Sequence, residues 1–417
     1  MSPEIHVFKF MVAIDQSKDY FDVCIKDPLK ATLFTGQFKS NRKGFEHLLE
    51  KMAALNPRNP EDFLIGVEST GIYHKTFLKF FRDRNYLVLE LNPVQVSKFA
   101  KGNSLRKTIN DRISASHIAD FLIFHGGDFA HYKNLSADYL ELRTLTRLIL
   151  NLDDQINITK NKVKSAVQQL FPELALNANI FTATFIRLLK SFPTPQDILK
   201  LSRKRFIAEF NKILPSRGRK IRITGDSLYS LAAGTVGLVN PQIGLVLSSG
   251  MRFLDAYLAE KKLVQDHVRD FVDSHPAIKD QVDILDSIPG IGLISAAMVI
   301  AEVGDISRFP HKNCLTAFAG LDPKTHTSGD TVNHSGHISR MGSRYLRKIM
   351  YMIAINVANH EPNFHVWKKA RAEKYGSGKK ATISLANKLI KTFYSMLVNR
   401  KPFCEERVRN TLLPKAS

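Results

Sequence analysis

Phe63-Leu-Ile-Gly-Val67 is an unbroken apolar run of strand length, and Tyr86 to Leu91 reads as a second such strand. A strand with no polar face must be covered on both sides, so this part of the chain requires a sheet layered between helices. Earlier, Phe10 to Ile14 is apolar, Phe21-Asp-Val-Cys-Ile25 alternates and Ala31 to Phe38 has strand composition, with turn signals between them. Ser40 can cap a helix in which Phe45, Leu48, Leu49 and Met52 recur at helical spacing. Further helices are predicted at about His74 to Arg82 and Asp111 to Phe124. Three strands, then helix, strand, helix, strand and helix, predict an α/β unit with a mixed central sheet.

Downstream the periodicity changes. Leu140, Leu142, Leu145, Leu148, Leu152, Ile156, Val163, Val167 and Leu170 mark a long amphipathic helix that Pro172 ends. A second runs from about Leu245 to Val272. Two such stripes predict an antiparallel or intersubunit coiled coil, with 173–240 a mixed insert between them. From about Asp283 the chain reads as mostly helical, with one Gly/Ser/Thr/His-rich interruption at Pro323–Ser339. The expected domains are 1–132, 133–282 and 283–402, with a tail at 403–417.

Sixty Lys and Arg against 39 Asp and Glu leave a net charge of +21. That surplus repels itself in a compact chain unless a polyanion is present, which points to nucleic acid, or more blandly to a ribosome-associated or merely basic protein. The runs Ser202-Arg-Lys-Arg205 and Arg217-Gly-Arg-Lys-Ile-Arg222, with Arg217, Arg219, Lys220 and Arg222, are either nucleic-acid contacts or solvated faces. Cys24, Cys314 and Cys404 are too scattered for zinc or a disulfide framework. The start shows no basic-then-apolar signal pattern, and Pro289 and Glu302 interrupt the most apolar stretch, so a cytoplasmic protein without a membrane span is expected.

Three carboxylates sit at element ends. Asp15 closes the first strand, Glu68 closes the Phe63 strand, and Asp111 opens a helix. Active sites of α/β sheets gather where loops leave strand ends, and hard oxygen ligands suit a divalent cation such as Mg²⁺. Each also has a structural reading: Asp15 ends a strand, Glu68 caps a turn before Gly71, and Asp111 caps its helix. The element order is that of the RNase H-like fold, which other α/β folds share.

The last third carries Ser287-Ile-Pro-Gly-Ile-Gly292, then Leu315-Thr-Ala-Phe-Ala-Gly-Leu-Asp-Pro323, Thr327-Ser-Gly329, Gly336-His-Ile-Ser-Arg340 and Gly342-Ser-Arg-Tyr-Leu-Arg347. This succession, with the acidic segments before it, resembles the DEDD transposases of the IS110 insertion-sequence family, which includes the Piv invertases. The resemblance covers roughly residues 8–400. It implies a RuvC-like, RNase H-fold N-terminal domain, long coiled-coil helices and a helical C-terminal transposase domain. It makes Asp15, Glu68 and Asp111 metal ligands for Mg²⁺. Ser114 stands where the family's Asp-x-x-Asp-Ala pattern has its last Asp, on the helical face of Asp111, and a hydroxyl is the weaker ligand. Asp120 falls on the opposite face. Ser328 becomes the nucleophile and Gly329 its neighbour, and the partners implied are donor and target double-stranded DNA, a structured noncoding bridge RNA and further copies of the chain as a dimer or tetramer.

A serine attacking a phosphodiester keeps the bond energy as a phosphoserine, which allows rejoining. Gly290 and Gly292 belong either to a helix-hairpin-helix turn facing a phosphate or to a plain helix connection. Arg340, Arg344, Arg347 and Lys348 read as a DNA clamp or a solvated helix face, and His326, His334 and His337 as proton carriers near Ser328. Two rivals remain: a RuvC-like junction nuclease using metal-activated water, and a nucleic-acid-binding protein whose catalytic site has decayed.

Overall fold

The structure is a computed structural model, and it describes residues 8–56, 59–68, 73–103, 111–129, 134–214, 223–327 and 333–406. The chain divides into two compact units, one formed by 1–143 with 275–417 and the other by 144–274.

In the first unit, β1 (Phe10–Gln16), β2 (Tyr20–Lys26), β3 (Thr32–Lys39), β4 (Phe63–Glu68) and β5 (Leu87–Leu91) form one sheet in the order β3-β2-β1-β4-β5. β2 pairs antiparallel with β1 and β3, while β4 pairs parallel with β1 and β5. The sheet is mixed and covered on both faces, as the apolar runs require. On one face Val12, Ile14, Ile65 and Val67 pack with Phe45, Leu48 and Met52 of α1 (Arg42–Leu55) and Phe77 and Phe81 of α2 (His74–Arg82). On the other, Met11, Ala13, Cys24, Leu64 and Leu89 pack with Val96 of α3 (Pro93–Asn103) and Ala115, Ile118 and Leu122 of α4 (Asp111–Phe129).

Two local readings change. The cap of α1 is Asn41, whose side chain accepts from Gly44 N, while Ser40 Oγ accepts from Gln16 Nε2 at 2.6 Å. Helix α3 has no counterpart in the expected order. Its start is nonetheless written in Asn92-Pro93, where Asn92 Oδ1 accepts from Val94 N and proline takes the first helical position.

The second unit holds most of α5 (Ala137–Leu170) and α11 (Pro241–Ser274). Between them the mixed segment folds into α6 (Pro172–Asn177), α7 (Ala183–Ser191), α8 (Pro195–Leu199), α9 (Arg203–Ile213) and α10 (Gly225–Ala233). Phe185, Leu188, Phe206, Phe210 and Leu228 of these helices share a core with Val163 and Val167 of α5 and Leu247 and Met251 of α11. Asp153 pairs with Lys261 and Val163 touches Gly250, so α5 and α11 run antiparallel.

The first unit resumes with α12 (Pro276–Asp286), α13 (Leu293–Val303) and α14 (Lys312–Phe318). The interruption expected at Pro323–Ser339 is an antiparallel pair, β6 (Pro323–Thr327) with β7 (Asn333–Ile338), in which Thr327 faces Asn333. α15 (Arg344–His360), α16 (Pro362–Tyr375) and α17 (Gly378–Asn399) follow, and α17 packs on α14, α15 and α16. Among the described residues no helix is long and apolar enough to cross a membrane.

Candidate functional site

Asp15 and Glu68 are one residue beyond the parallel pair Ile14–Val67, so they leave adjacent strands side by side, with backbones about 4.8 Å apart. Side chains alternate along a strand. Asp15 therefore follows Met11 and Ala13 onto the α4 face, and Glu68 follows Leu64 and Gly66 onto the same face. Both carboxylates are partly exposed and both make interactions with neighbours.

Helix α4 points its start at this edge. Ser116 bonds the thiol of Cys24, which is level with Ala13, whereas Asp120 accepts from Lys26 Nζ at 2.7 Å, level with Met11. The helix thus runs antiparallel to β1. Asp111 comes five residues before Ser116, about 7.5 Å at helical rise. Asp15 lies two residues past Ala13, about 6.6 Å along the strand. Both displacements point the same way, so the backbone of Asp111 and the Asp15–Glu68 edge come to one end of the sheet. The side chain of Asp111 is outside the described residues, and Ser114 is half-buried one turn on. Asp120 is held in its ion pair, away from the edge.

Asp22 is a carboxylate that the motifs do not single out. It pairs directly with Asp15 across β1 and β2, is 6% exposed, and accepts from Gln37 Nε2 at 3.1 Å. The alternation Phe21-Asp-Val-Cys-Ile25 already puts it on the Cys24 face. Carboxylates on one strand edge are the donor chemistry a divalent cation takes. Among the described residues, however, no three acidic, histidine or cysteine side chains converge to hold a metal.

The C-terminal candidates surround the β6–β7 pair. Ser328 and Gly329 lie in 328–332, outside the described residues, as do Arg217, Arg219, Lys220 and Arg222. The chain leaving β7 folds back on the turn after α14. Ser339 N donates to Asp322 O at 2.8 Å, Arg340 N to Gly320 O at 3.2 Å, and Ser343 N to Phe318 O at 2.7 Å. Arg340 takes a left-handed backbone (φ 55), unusual for a residue with a side chain. Ser343 Oγ accepts from Leu346 N, capping α15, and donates to Glu302 Oε2 at 3.1 Å. Glu302 is 1% exposed, so a buried carboxylate fixes the start of the arginine-bearing helix. From that helix Arg347 donates to Ala319 O at 3.2 Å. Burial, and then the nearby Arg340 guanidinium, pull Arg347 below the ordinary arginine range. Arg344 is exposed and stacks over Tyr345, and Lys348 is half-buried with a partner.

Gly290 has φ 93, and a Cβ there would come 2.8 Å from Asn356 O, so packing on α15 accounts for this glycine. Gly292 caps α13 with open space around it.

The two sets of candidates belong to the same unit. β5 ends at Leu91, which pairs with Glu68, and α3 begins two residues later. From α3, Lys98 Nζ contacts Met341 Sδ at 3.5 Å, beside Arg340.

Comparison with known proteins matches the chain in two segments. A DEDD_Tnp_IS110 transposase model matches residues 12–172, and the model of the transposase IS116/IS110/IS902 family matches residues 282–368. The insertion element IS110 43.6 kDa protein of Streptomyces coelicolor is 26% identical over 262 residues, 62% of each chain. The pilin gene-inverting protein of Moraxella bovis is 28% identical over 33% of this chain and 44% of its own. The IS117 mini-circle protein of Streptomyces coelicolor is 24% identical over 97% of both. The chain thus spans less than two thirds of the first two relatives and nearly all of the third. It belongs to the IS110 family of insertion-sequence transposases.

Proposed function

We propose that this chain cuts and rejoins DNA as the recombinase of an insertion sequence, using Ser328 as nucleophile and the Asp15–Glu68–Asp111 edge as its acidic site. The strand order β3-β2-β1-β4-β5 supports reading the N-terminal part as RNase H-like and RuvC-like. The observation that carries the proposal is the Lys98–Met341 contact. It ties the helix that follows the acidic edge to the turn that leaves the Ser328 hairpin, within one unit.

Asp15, Glu68 and Asp111, with Ser114 and its hydroxyl, would hold a divalent cation such as Mg²⁺. Bound there, the cation balances charge on phosphoryl oxygens. Ser328 Oγ loses its proton and bonds to phosphorus while the P–O bond to one deoxyribose breaks and that oxygen leaves protonated. A hydroxyl of another strand then attacks the phosphoserine, which returns the serine and joins the new strand. Gly329 removes side-chain bulk next to the phosphate. Arg340, Arg344, Arg347 and Lys348 hold backbone phosphates, and the basic 217–222 run adds contacts to DNA or to a structured guide RNA. Two DNA ends call for at least two copies of the chain. The Moraxella relative is a gene-inverting protein, which accords with strand exchange as the reaction.

The test is a covalent adduct. Full-length protein, duplex DNA carrying the element's end and the element's flanking transcript should give a protein–DNA species that survives denaturation and disappears in Ser328→Ala. Cleavage without an adduct would make the chain a metal-dependent junction nuclease. Ser114 also favours a second reading, a decayed nucleic-acid binder; tight binding with no strand exchange, unrescued by Ser114→Asp, would establish that one.

A further inference from the structure

We infer that a lysine-lined cavity between α14 and α17 seats the phosphate backbone of an unpaired nucleic-acid segment, at a site separate from Ser328 and from the acidic edge.

The cavity is about 480 Å³, within the range of nucleotide-sized ligand sites. Lys312 enters it from α14, Lys388 and Lys391 from α17, and Lys401 from the segment after α17, and no carboxylate lines it. Among the described residues, none of these four lysines has an ion-pair partner. By contrast, Lys26 is paired with Asp120 and Lys261 with Asp153. Here the charges face one another instead. Burial, then the ammonium groups of Lys312 and Lys391, push Lys388 below the usual lysine range. Holding three cations together without an anion costs folding free energy, and a phosphate bound among them removes that cost.

The rest of the wall suits a nucleotide better than a bare anion. Thr392 and Ser395 continue the Lys388–Lys391 face of α17; Thr392 Oγ1 donates back to Lys388 O at 3.1 Å, and the exposed Ser395 supplies a hydroxyl donor of the kind that contacts phosphate and sugar. Phe403 is partly exposed and provides an apolar plate, its position fixed by a bond from its N–H to Ser287 Oγ at 2.8 Å. A basic groove beside an aromatic surface is how proteins hold single strands, with the backbone on the cations and a base on the ring. A duplex has its bases stacked inside and presents only its outer backbone, which does not enter a cavity of this size. The site adds a partner contact to the reading of the chain as a nucleic-acid recombinase and rests on that reading.

The experiment is a salt titration of binding by full-length protein to a single-stranded RNA, a single-stranded DNA and a blunt duplex. Each phosphate contact adds about 0.7 to the slope of log affinity against log salt for single strands. The Lys388→Gln/Lys391→Gln variant should lower that slope by about 1.4 on at least one single strand, with Lys388→Arg/Lys391→Arg unchanged. Which strand responds identifies the source of the backbone. Lys401→Gln, at an exposed position, should remove about 0.7 and guards against a folding defect in the double variant. The free double variant should melt no lower than wild type, because like charges have been removed. Unchanged slopes on both single strands, or a loss confined to the duplex, would overturn the inference. The Ser328 adduct is scored independently, so either idea can fail without the other.

Discussion

Asp15 and Glu68 stand side by side, one residue past the Ile14–Val67 pair, on the sheet face that α4 covers. Two carboxylates at this separation repel each other unless a cation lies between them or hydrogen bonds take up their charge. Asp15→Asn and Glu68→Gln should each lower strand exchange at least a hundredfold, since even outer partners of metal ligands are worth about 10- to 100-fold. Melting temperature should hold or rise, because the like charge is gone. A fall in stability equal to the loss of activity would show that these residues only shape the fold.

Ser114 sits one turn beyond Asp111 on the helix that points at this edge. Ser114→Asp should raise Mn²⁺ affinity about tenfold by adding a hard, charged ligand on that face. Calorimetric titration of the full chain reads this directly, whatever the activity of the variant. Equal affinity in wild type and Ser114→Asp would place the cation elsewhere.

How close α4 lies to the sheet depends on Gly66. A Cβ at this position would come 2.8 Å from Leu122 and 2.9 Å from Leu91, both in the packed core. Gly66→Ala should therefore cost about 1–3 kcal/mol in denaturant unfolding, the usual cost of overpacking. It should also weaken metal binding by moving the start of α4, whereas Leu122→Ala in the same background should recover part of the stability.

Much of this frame was legible in the sequence, and the reasons differ by element. The limits of α2 and α5 follow from their apolar stripes, because one buried helical face leaves a periodic trace. The acidic edge was legible because strand ends are marked by where the apolar run stops. Asp22 was not singled out because it sits inside an alternation, where a buried carboxylate looks like any polar position until the register with Asp15 is known. The β6–β7 pair read as an interruption because Pro323–Thr327 and Asn333–Ile338 are polar in sequence and carry no apolar alternation. The lysine cavity left no trace, since Lys312 of α14 is far in sequence from Lys388 and Lys391 of α17, and the three form no basic run. Conversely, Gly290 could be read in sequence as a phosphate-facing turn or as a plain helix connection, and its close approach to Asn356 accounts for the glycine by packing.

Ser343 links the buried Glu302 to the first turn of α15. Removing the hydroxyl in Ser343→Ala should cost about 1 kcal/mol for the lost cap and leave a buried carboxylate short of a donor. Its signature is a joint loss: a lower melting temperature together with weaker DNA binding through Arg344 and Arg347. Ser343→Thr, which keeps the hydroxyl, should retain both.

Acid sensitivity has a local source at Glu90. Its Oε1 pairs with His74 Nε2 at 3.1 Å, and that hydrogen bond above all, with the charges of His74, Arg82 and Arg143, holds its carboxyl below the ordinary glutamate range. A carboxylate whose folded pKa is depressed stabilises the fold above the unfolded value, about 4.3, and loses that contribution as pH falls through the folded value. Glu90→Gln should therefore lower stability at neutral pH and flatten the decline below about pH 4.3, where wild type steepens. Because the side chain is 45% exposed, the effect should be modest and should shrink as salt is raised. Unfolding midpoints measured from pH 3 to 7 at two salt concentrations test this, and parallel curves for wild type and Glu90→Gln would rule out Glu90 as the source.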